Sequence, residues 1–278
     1  MNFRWLVQEF INFNENTERM IKALEREKDE FLLVRVNADK SLTVIDNDTR
    51  LPLDDSDEIL KAFLSDAYVS IYGSKALATI INQFKVTPGS FLNEKFEMEV
   101  IWEHIHDELL NDSFIVGELQ ELNPPWESFF IRPTGNTKLI SGMCVSQKEL
   151  KEWKDREDNP DSAFIGQTLM VSELREIQEE YRFFVVGGEV ITGSSYMVNG
   201  VRDISIKPAQ AIWEYAQKMV NRFDLATAFV IDVATTDKGL RVVEYNNLNT
   251  SGLYGCDEHR ILQAIRELYM EREQEGKT

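Results

Sequence analysis

The sequence predicts a mixed fold of the α/β (α+β) class, in which a small layer of parallel strands and helices precedes a larger part made of antiparallel hairpins. In the first third, short apolar runs alternate with segments of helical pattern, which is typical of parallel pairing. In the second half, long apolar runs are joined by the turn sequences Gly187-Gly188 and Asp237-Lys238-Gly239, which predict β-hairpins. With 43% hydrophobic residues, the 278-residue chain can bury a sizeable core.

The first third is predicted to contain four strands and three helices. A strand begins at Trp5, and Asn16 or Thr17 is predicted to cap a helix that continues to about Lys28. The remaining elements are strands at 31–36 and 42–45, a helix that includes 60–63, a strand at 68–72 and a helix at about 75–83. We interpret Pro88-Gly89 and the residues up to Phe96 as a linker, after which a helix at about 97–110 leads into the second half.

Composition and charge narrow the class of protein. The formal net charge of −18 argues against a nucleic-acid partner that is bound by broad neutralisation of phosphates. No apolar run approaches the roughly 20 residues that a membrane-spanning helix needs, and the first residues lack the pattern of a signal peptide. The two cysteines, Cys144 and Cys256, are far apart, so we expect a reducing cytoplasm and small core positions for both.

A candidate metal site lies on the hairpin that turns at Asp237-Lys238-Gly239. Glu244 and Asn246 are two residues apart on its second strand and therefore share a face, and the turn brings Asp232 opposite them. Carboxylate and amide oxygens are the ligands that Mg²⁺ prefers. An ordinary surface hairpin would explain the turn, but it would not explain acids inside apolar runs, where an unpaired carboxylate is costly to bury. The pattern therefore predicts a magnesium site.

Two further groups of charged residues precede this hairpin. Arg132 ends a strand at 129–133, and Lys138 follows in a glycine-containing turn, so the two cations are candidates for holding phosphates. Glu180 and Arg182 lie two apart on the first strand of the other hairpin and face the same way. Such a pair forms either a structural ion pair or, in a nucleotide site, a ribose-binding acid beside an arginine that meets a phosphate or carboxylate.

The order of these segments resembles the ATP-grasp superfamily over roughly residues 115–270. The resemblance rests on the segments Ile131-Arg132-Pro133, Met170 to Leu174, Glu180-Tyr181-Arg182, Asp232, Glu244-Tyr245-Asn246 and Asn249 to Tyr254. Members usually carry lysine where Arg132 stands. The arginine, with Lys138 in the loop, is similar to the clade of phage and bacterial proteins that is named for one arginine and two lysines, and Lys207 is the candidate second lysine.

The resemblance implies a fold and a set of ligands. An ATP-grasp domain at 97–278 would enclose ATP between two antiparallel-sheet layers, and a small Rossmann-like pre-ATP-grasp domain at 1–96 would precede it. The adenine would lie against the strand that contains Val171, Glu173 and Leu174, and Glu180 would bind the ribose. The phosphates would be held by Arg132, Lys138 and Lys207, and Mg²⁺ by Asp232, Glu244 and Asn246.

The resemblance also implies a reaction. ATP would phosphorylate the carboxylate of a small acid, amino acid or peptide, and an amine or thiol would attack the resulting acyl phosphate, with Arg182 and Lys138 as catalytic residues. Two alternatives remain open on the sequence alone. One is a phosphotransferase that uses the same ATP site, and the other is a nucleotide-binding regulator without turnover.

Overall fold

The computed structural model describes residues 2–134, 142–155, 164 and 166–274, which contain three β-sheets. The first sheet consists of β1 (Asn2–Gln8), β2 (Glu30–Val36), β3 (Leu42–Ile45), β4 (Ala67–Tyr72) and β5 (Pro88–Gly89). Its strand order is β3-β2-β1-β4-β5, in which β1 pairs in parallel with β2 and β4, β5 pairs in parallel with β4, and β3 is antiparallel to β2. The parallel pairing predicted for the first third is therefore confirmed.

Two predictions for this part of the chain were wrong. The helix α1 (Glu15–Glu27) is capped by Asn14, whose backbone is extended and whose side chain accepts the N–H of Thr17 at 3.1 Å. Asn16 lies inside the first turn and bonds elsewhere, to the N–H of Leu253. Pro88–Gly89 is an edge strand rather than a linker, because it pairs with Val69 and Ser70 of β4. The other helices here are α2 (Ser56–Leu64) and α3 (Lys75–Asn82).

The helix predicted at 97–110 is shorter than expected. It is α4 (Met98–Ile105), and the chain then tightens into a 3₁₀ turn at His106–Glu108. Both acids of this turn form ion pairs with basic residues far along the chain. Arg222 binds Asp107, and Lys218 binds Glu108 at 3.0 Å. These contacts tie the end of α4 to a later helix, α6 (Gln210–Arg222).

The second and third sheets are antiparallel. The small sheet consists of β6 (Phe114–Gly117), β7 (Ser128–Pro133), β8 (Met143–Ser146) and β9 (Leu169–Glu173), in the order β6-β9-β7-β8, and α5 (Gln147–Asp155) follows β8. The large sheet consists of β10 (Ile177–Val186), β11 (Glu189–Val198), β12 (Val201–Arg202), β13 (Ala228–Thr236) and β14 (Gly239–Asn247). Its order is β12-β11-β10-β13-β14, so both predicted hairpins are confirmed and lie side by side.

One hydrophobic cluster joins the first sheet to the last helix, α7 (Glu258–Gln274). Trp5 of β1 and Leu24 of α1 pack in the same cluster as Val230 of β13 and as Ile261 and Ile265 of α7. A second cluster lies between the large sheet and α4 and α6. Residue 96 as the boundary between two domains stays a prediction, since the apolar core continues across it. No helix in the described residues is long and apolar enough to span a membrane.

Candidate active site

A cavity of about 890 Å³ lies between the small sheet and the large sheet. The small sheet supplies Phe130 and Arg132 of β7, and the chain that leaves β9 supplies Leu174 and Arg175. The large sheet contributes a group of polar side chains, and the loop after β14 closes one side. These residues are Glu180, Arg182, Tyr196, Glu244, Asn246, Thr250, Ser251 and Gly252. Residues from both antiparallel sheets therefore line the cavity.

The three predicted metal ligands are neighbours. Asp232 of β13 pairs in register with Glu244 of β14, and Asn246 lies two residues further on the same strand. The Asn246 amide donates to Glu244 Oε1 at 2.7 Å and lies 3.5 Å from Asp232 Oδ2. Glu244 and Asn246 line the cavity. Asp232 is fully buried behind them.

Asp232 is bound by Arg182 of β10, a pairing that the sequence did not predict. Arg182 Nε donates to Asp232 Oδ1 at 2.8 Å and Nη2 donates to Oδ2 at 2.6 Å, which is the two-bond geometry that arginine forms with carboxylates. Burial raises the pKa of Asp232 to about 6, against the opposing effect of the guanidinium, and Glu244 and Glu180 add to the rise. Burial alone would lower the pKa of Arg182, but Asp232 reverses that effect and raises it.

Glu180 stands beside this pair on β10. Its Oε2 accepts the hydroxyl of Tyr196 at 2.7 Å, and its pKa is raised, first by burial and also by the nearby charge of Glu244. Tyr196 in turn stacks on Tyr254, with ring centroids 5.0 Å apart. Glu180 and Arg182 both line the cavity, but the structural ion pair of Arg182 is with Asp232 rather than with Glu180.

Not all of the residues predicted to bind the adenine and the phosphates line the cavity. Arg132 and Leu174 line it, and so does Glu173, which also binds the guanidinium of Arg175. Arg175 in turn binds Asp112. Val171 is fully buried in the core of the small sheet, so its side chain faces away from the cavity.

Neither of the two predicted lysines is among the described residues that line the cavity. Lys138 lies outside the described residues. Lys207 is exposed, in the segment between β12 and α6, and is not among the described residues that line the cavity.

One cysteine was misjudged from the sequence. Cys256 is buried, as predicted, but Cys144 of β8 is exposed and lines the cavity. On β8 Cys144 is opposite Phe130, another lining residue, so both side chains lie on the face of the small sheet that borders the cavity. Such a short strand leaves too little pattern to show from sequence which face is buried.

The residues present fit a divalent cation. Glu180, Asp232 and Glu244 are three carboxylates near a single guanidinium, so this group carries an excess of negative charge that a cation would offset. Glu244 and Asn246 present hard oxygen donors to the cavity. The described residues contain no group of three or more His, Cys, Asp or Glu side chains that could hold a metal ion.

A family model for the ATP-grasp domain matches residues 93–265, which is more than half of the chain. The chain belongs to the ATP-grasp superfamily. The matching model describes family 3 of the clade that is named for one arginine and two lysines, which is the clade that the ordered motifs resemble. The match covers both antiparallel sheets and the whole cavity wall, so the resemblance is confirmed.

Solved ATP-grasp structures share this fold across the whole chain. The D-alanine–D-alanine ligase of Bacillus anthracis, solved in complex with ATP, superposes with a TM-score of 0.63 at 13% identity and covers 99% of each chain. The D-alanine–D-alanine ligase of Coxiella burnetii gives 0.62 at 13% identity, covering 100% of this chain and 97% of its own. The ATP-grasp ligase PsnB, complexed with a minimal precursor, gives 0.58 at 10% identity over 95% and 98%. None of the curated protein sequences matches the chain.

Proposed function

We propose that this protein is an ATP- and Mg²⁺-dependent ligase that joins a carboxylate to an amine or a thiol through an acyl phosphate. The observation that carries the proposal is the cavity between the two sheets, where Arg132 on one wall faces the carboxylates of Glu180 and Glu244 on the other. Its substrates would be a small acid, an amino acid or a peptide. Free cysteines in both described positions agree with a cytoplasmic location.

The nucleotide would occupy the side of the cavity that the small sheet forms. Leu174 and Phe130 line the cavity and offer apolar surface for an adenine. Glu180 would accept the ribose hydroxyls, and Arg132 would bind the phosphates with its planar fork of donors. Lys138 remains the predicted second cation at the phosphates.

The acidic end of the cavity would hold the metal ion. Glu244, Asn246 and Asp232 would be its protein ligands, with the amide of Asn246 presenting its oxygen. When bound, Mg²⁺ supplies positive charge at the phosphate oxygens and so stabilises the transfer of the γ-phosphoryl group.

The remaining chemistry requires positioning rather than a protein nucleophile. In the proposed reaction, a substrate carboxylate oxygen bonds to the γ-phosphorus as the bond to ADP breaks. The amine then attacks the acyl carbon, loses a proton to solvent and releases phosphate. Arg182 has two N–H groups beyond its three described hydrogen bonds and lines the cavity, so it would orient the carboxylate and stabilise the charge that develops on it. None of the three histidines lines the cavity in the described part of the chain.

Isotope transfer tests this reaction directly. With the acceptor carboxylate labelled by ¹⁸O, we expect one labelled oxygen in each phosphate released, and hydroxylamine should trap the acyl phosphate as a hydroxamate. The panel should contain small acids, amino acids and short peptides, each with and without an amine. ADP production without any label in the phosphate would contradict ligation and favour a phosphotransferase.

Arg132→Lys should weaken nucleotide binding although it keeps the charge. A lysine cannot form the two parallel hydrogen bonds of a guanidinium, and losing one bond to a charged group corresponds to roughly a tenfold weaker affinity. The dissociation constant of a fluorescent ATP analogue measures this effect. Arg260→Lys, an exposed position on α7, is the matched control and should bind as the unmodified protein does. Equal affinity in both variants would remove Arg132 from the nucleotide site.

A further inference from the structure

The loop between β14 and α7 is fixed by hydrogen bonds from the first sheet. Asn249, which is fully buried, donates to the carbonyl of Ile71 at 2.6 Å and accepts the N–H of Phe91 at 2.8 Å. The hydroxyl of Tyr72 donates to the carbonyl of Ser251 at 2.8 Å. The part of the loop that borders the cavity is therefore held by residues that lie outside the antiparallel sheets.

The helix α1 holds the next part of the same loop. Asn16 accepts the N–H of Leu253 at 2.8 Å. The guanidinium of Arg19 donates to the carbonyl of Tyr254, to the carbonyl of Cys256 at 2.7 Å, and to the carboxylate of Glu258. Arg19 thus binds three successive points along the segment that carries Tyr254.

The backbone of Tyr254 is in an unfavourable conformation. Its φ of 48° lies in the left-handed region, which an aromatic residue rarely occupies, and the contacts of Arg19 and Asn16 on either side hold it there. Backbone strain of this kind persists only where the surrounding structure holds it, and it is typical of residues whose side chains have a role at a functional site.

The ring of Tyr254 lies against Arg182. The guanidinium carbon is 4.8 Å from the centroid of the Tyr254 ring and 5.6 Å from that of Tyr196, and the two rings stack at an interplanar angle of 15°. Gly252 of the same loop accepts a hydrogen bond from Arg182 Nη1 at 3.2 Å. The loop therefore contacts the parts of the guanidinium that Asp232 does not bind, namely Nη1 and the face of the group.

We propose that Tyr254 is a positioning residue for Arg182, and that Arg19 of α1 positions Tyr254. Asp232 binds Nε and Nη2 and fixes one edge of the guanidinium, while the ring and the Gly252 carbonyl fix its face and Nη1. Two N–H groups, one on each Nη, lie outside these three hydrogen bonds, and Arg182 lines the cavity. In this arrangement the first sheet and its helices help to order the reaction site without touching the substrate.

The test combines a spectroscopic readout with kinetics. The Nε–H resonance of Arg182 is assigned in ¹⁵N-labelled protein by its loss in Arg182→Lys. Tyr254→Asn removes the ring but suits the left-handed backbone, so the fold should be kept while the Arg182 resonance shifts or broadens. Tyr254→Phe retains the ring and should restore the resonance.

The kinetic arm rests on the proposed function. Loss of a cation–π contact predicts that Tyr254→Asn lowers kcat by about 3- to 30-fold. KM for ATP should change by less than about twofold, because the proposed nucleotide contacts Arg132 and Leu174 are unchanged. Lys85→Asn is the matched control, since Lys85 is an exposed residue at φ 55° outside the site, and it should change neither the resonance nor kcat.

Each outcome decides the proposal. An unchanged Arg182 resonance in Tyr254→Asn would overturn it, whatever the activity. If Tyr254→Asn fails to fold, Arg19→Gln must produce the same shift and Arg19→Lys must partly restore it; an unshifted resonance in Arg19→Gln also overturns the proposal. Absence of ATP turnover in the unmodified protein would count against the proposed ligase only, because the resonance reports on Arg182 independently of catalysis.

Discussion

Glu244→Gln is expected to lower ATP turnover by more than about 100-fold and to leave the fold intact. Glu244 lines the cavity and its carboxylate contacts the amide of Asn246, so the substitution removes a negative charge that would bind Mg²⁺ without creating a cavity in the core. Changes in residues that only support metal ligands cost roughly 10- to 100-fold, and a direct ligand should exceed that range. ADP release at saturating ATP, measured across a Mg²⁺ titration, gives the effect.

The control for this substitution is Glu189→Gln. Glu189 is an exposed acid at the start of β11, on the same sheet but remote from the cavity wall, and its replacement should leave turnover unchanged. Melting curves of both variants should match that of the unmodified protein. Normal turnover in Glu244→Gln, or activity that persists when a chelator removes divalent cations, would refute the metal site.

Asp232→Asn should both destabilise the protein and abolish turnover. Arg182 and Asp232 are 7% and 0% exposed, and the asparagine would remove the carboxylate that is hydrogen-bonded to the buried guanidinium. Breaking a buried pair in this way costs about 3–5 kcal/mol, which corresponds to a fall of roughly 10 °C in the melting temperature for a chain of this size. Thermal unfolding followed by circular dichroism measures it.

A double variant separates the stability of the pair from its function. Arg182→Met with Asp232→Leu removes both charges together, and apolar replacements of a buried pair are often neutral or stabilising. We expect this variant to melt near the temperature of the unmodified protein and to show no turnover. If Asp232→Asn alone melts normally, the bond between Arg182 and Asp232 does not compensate a buried charge in solution.

The local elements of the site could be predicted because they depend on short-range signals. The turn at Asp237-Lys238-Gly239 predicts that β13 and β14 pair and that Asp232 lies near Glu244, and the structure confirms both. The turn alone would place Asp232 opposite Val243. A shift in register between Asp232 and Val233, which the sequence did not predict, brings it opposite Glu244 instead. The sequence also places Glu180 and Arg182 on one face of β10, and both line the cavity. These inferences use spacings of two residues and the length of one turn.

The pairing between hairpins could not be predicted in the same way. Arg182 and Asp232 are 50 residues apart, and they meet because β10 lies next to β13, a choice that no turn between them dictates. The position of Arg19 against the loop after β14 is more distant still, at 235 residues. Such contacts depend on the packing of whole layers, and the identities of the two residues do not specify it.

The residue that caps α1 could not be predicted from local sequence either. Asn14 and Asn16 both have side chains that can cap α1, and local propensity does not separate them. Asn16 is used instead to bind Leu253, so a contact across the molecule decides which residue caps the helix. Pro88–Gly89 was misjudged for a related reason, since its partner strand β4 is what makes it a strand.

The hydrophobic cluster that joins β1 and α1 to α7 has a consequence for synthesis of the protein. The apolar face that Trp5 and Leu24 present is completed by Ile261 and Ile265, which leave the ribosome about 240 residues later. At about 5–20 residues per second, that interval is roughly 10–50 s. We therefore expect this apolar face to stay uncovered in the nascent chain during that interval, and the formal net charge of −18 favours repulsion between neighbouring copies.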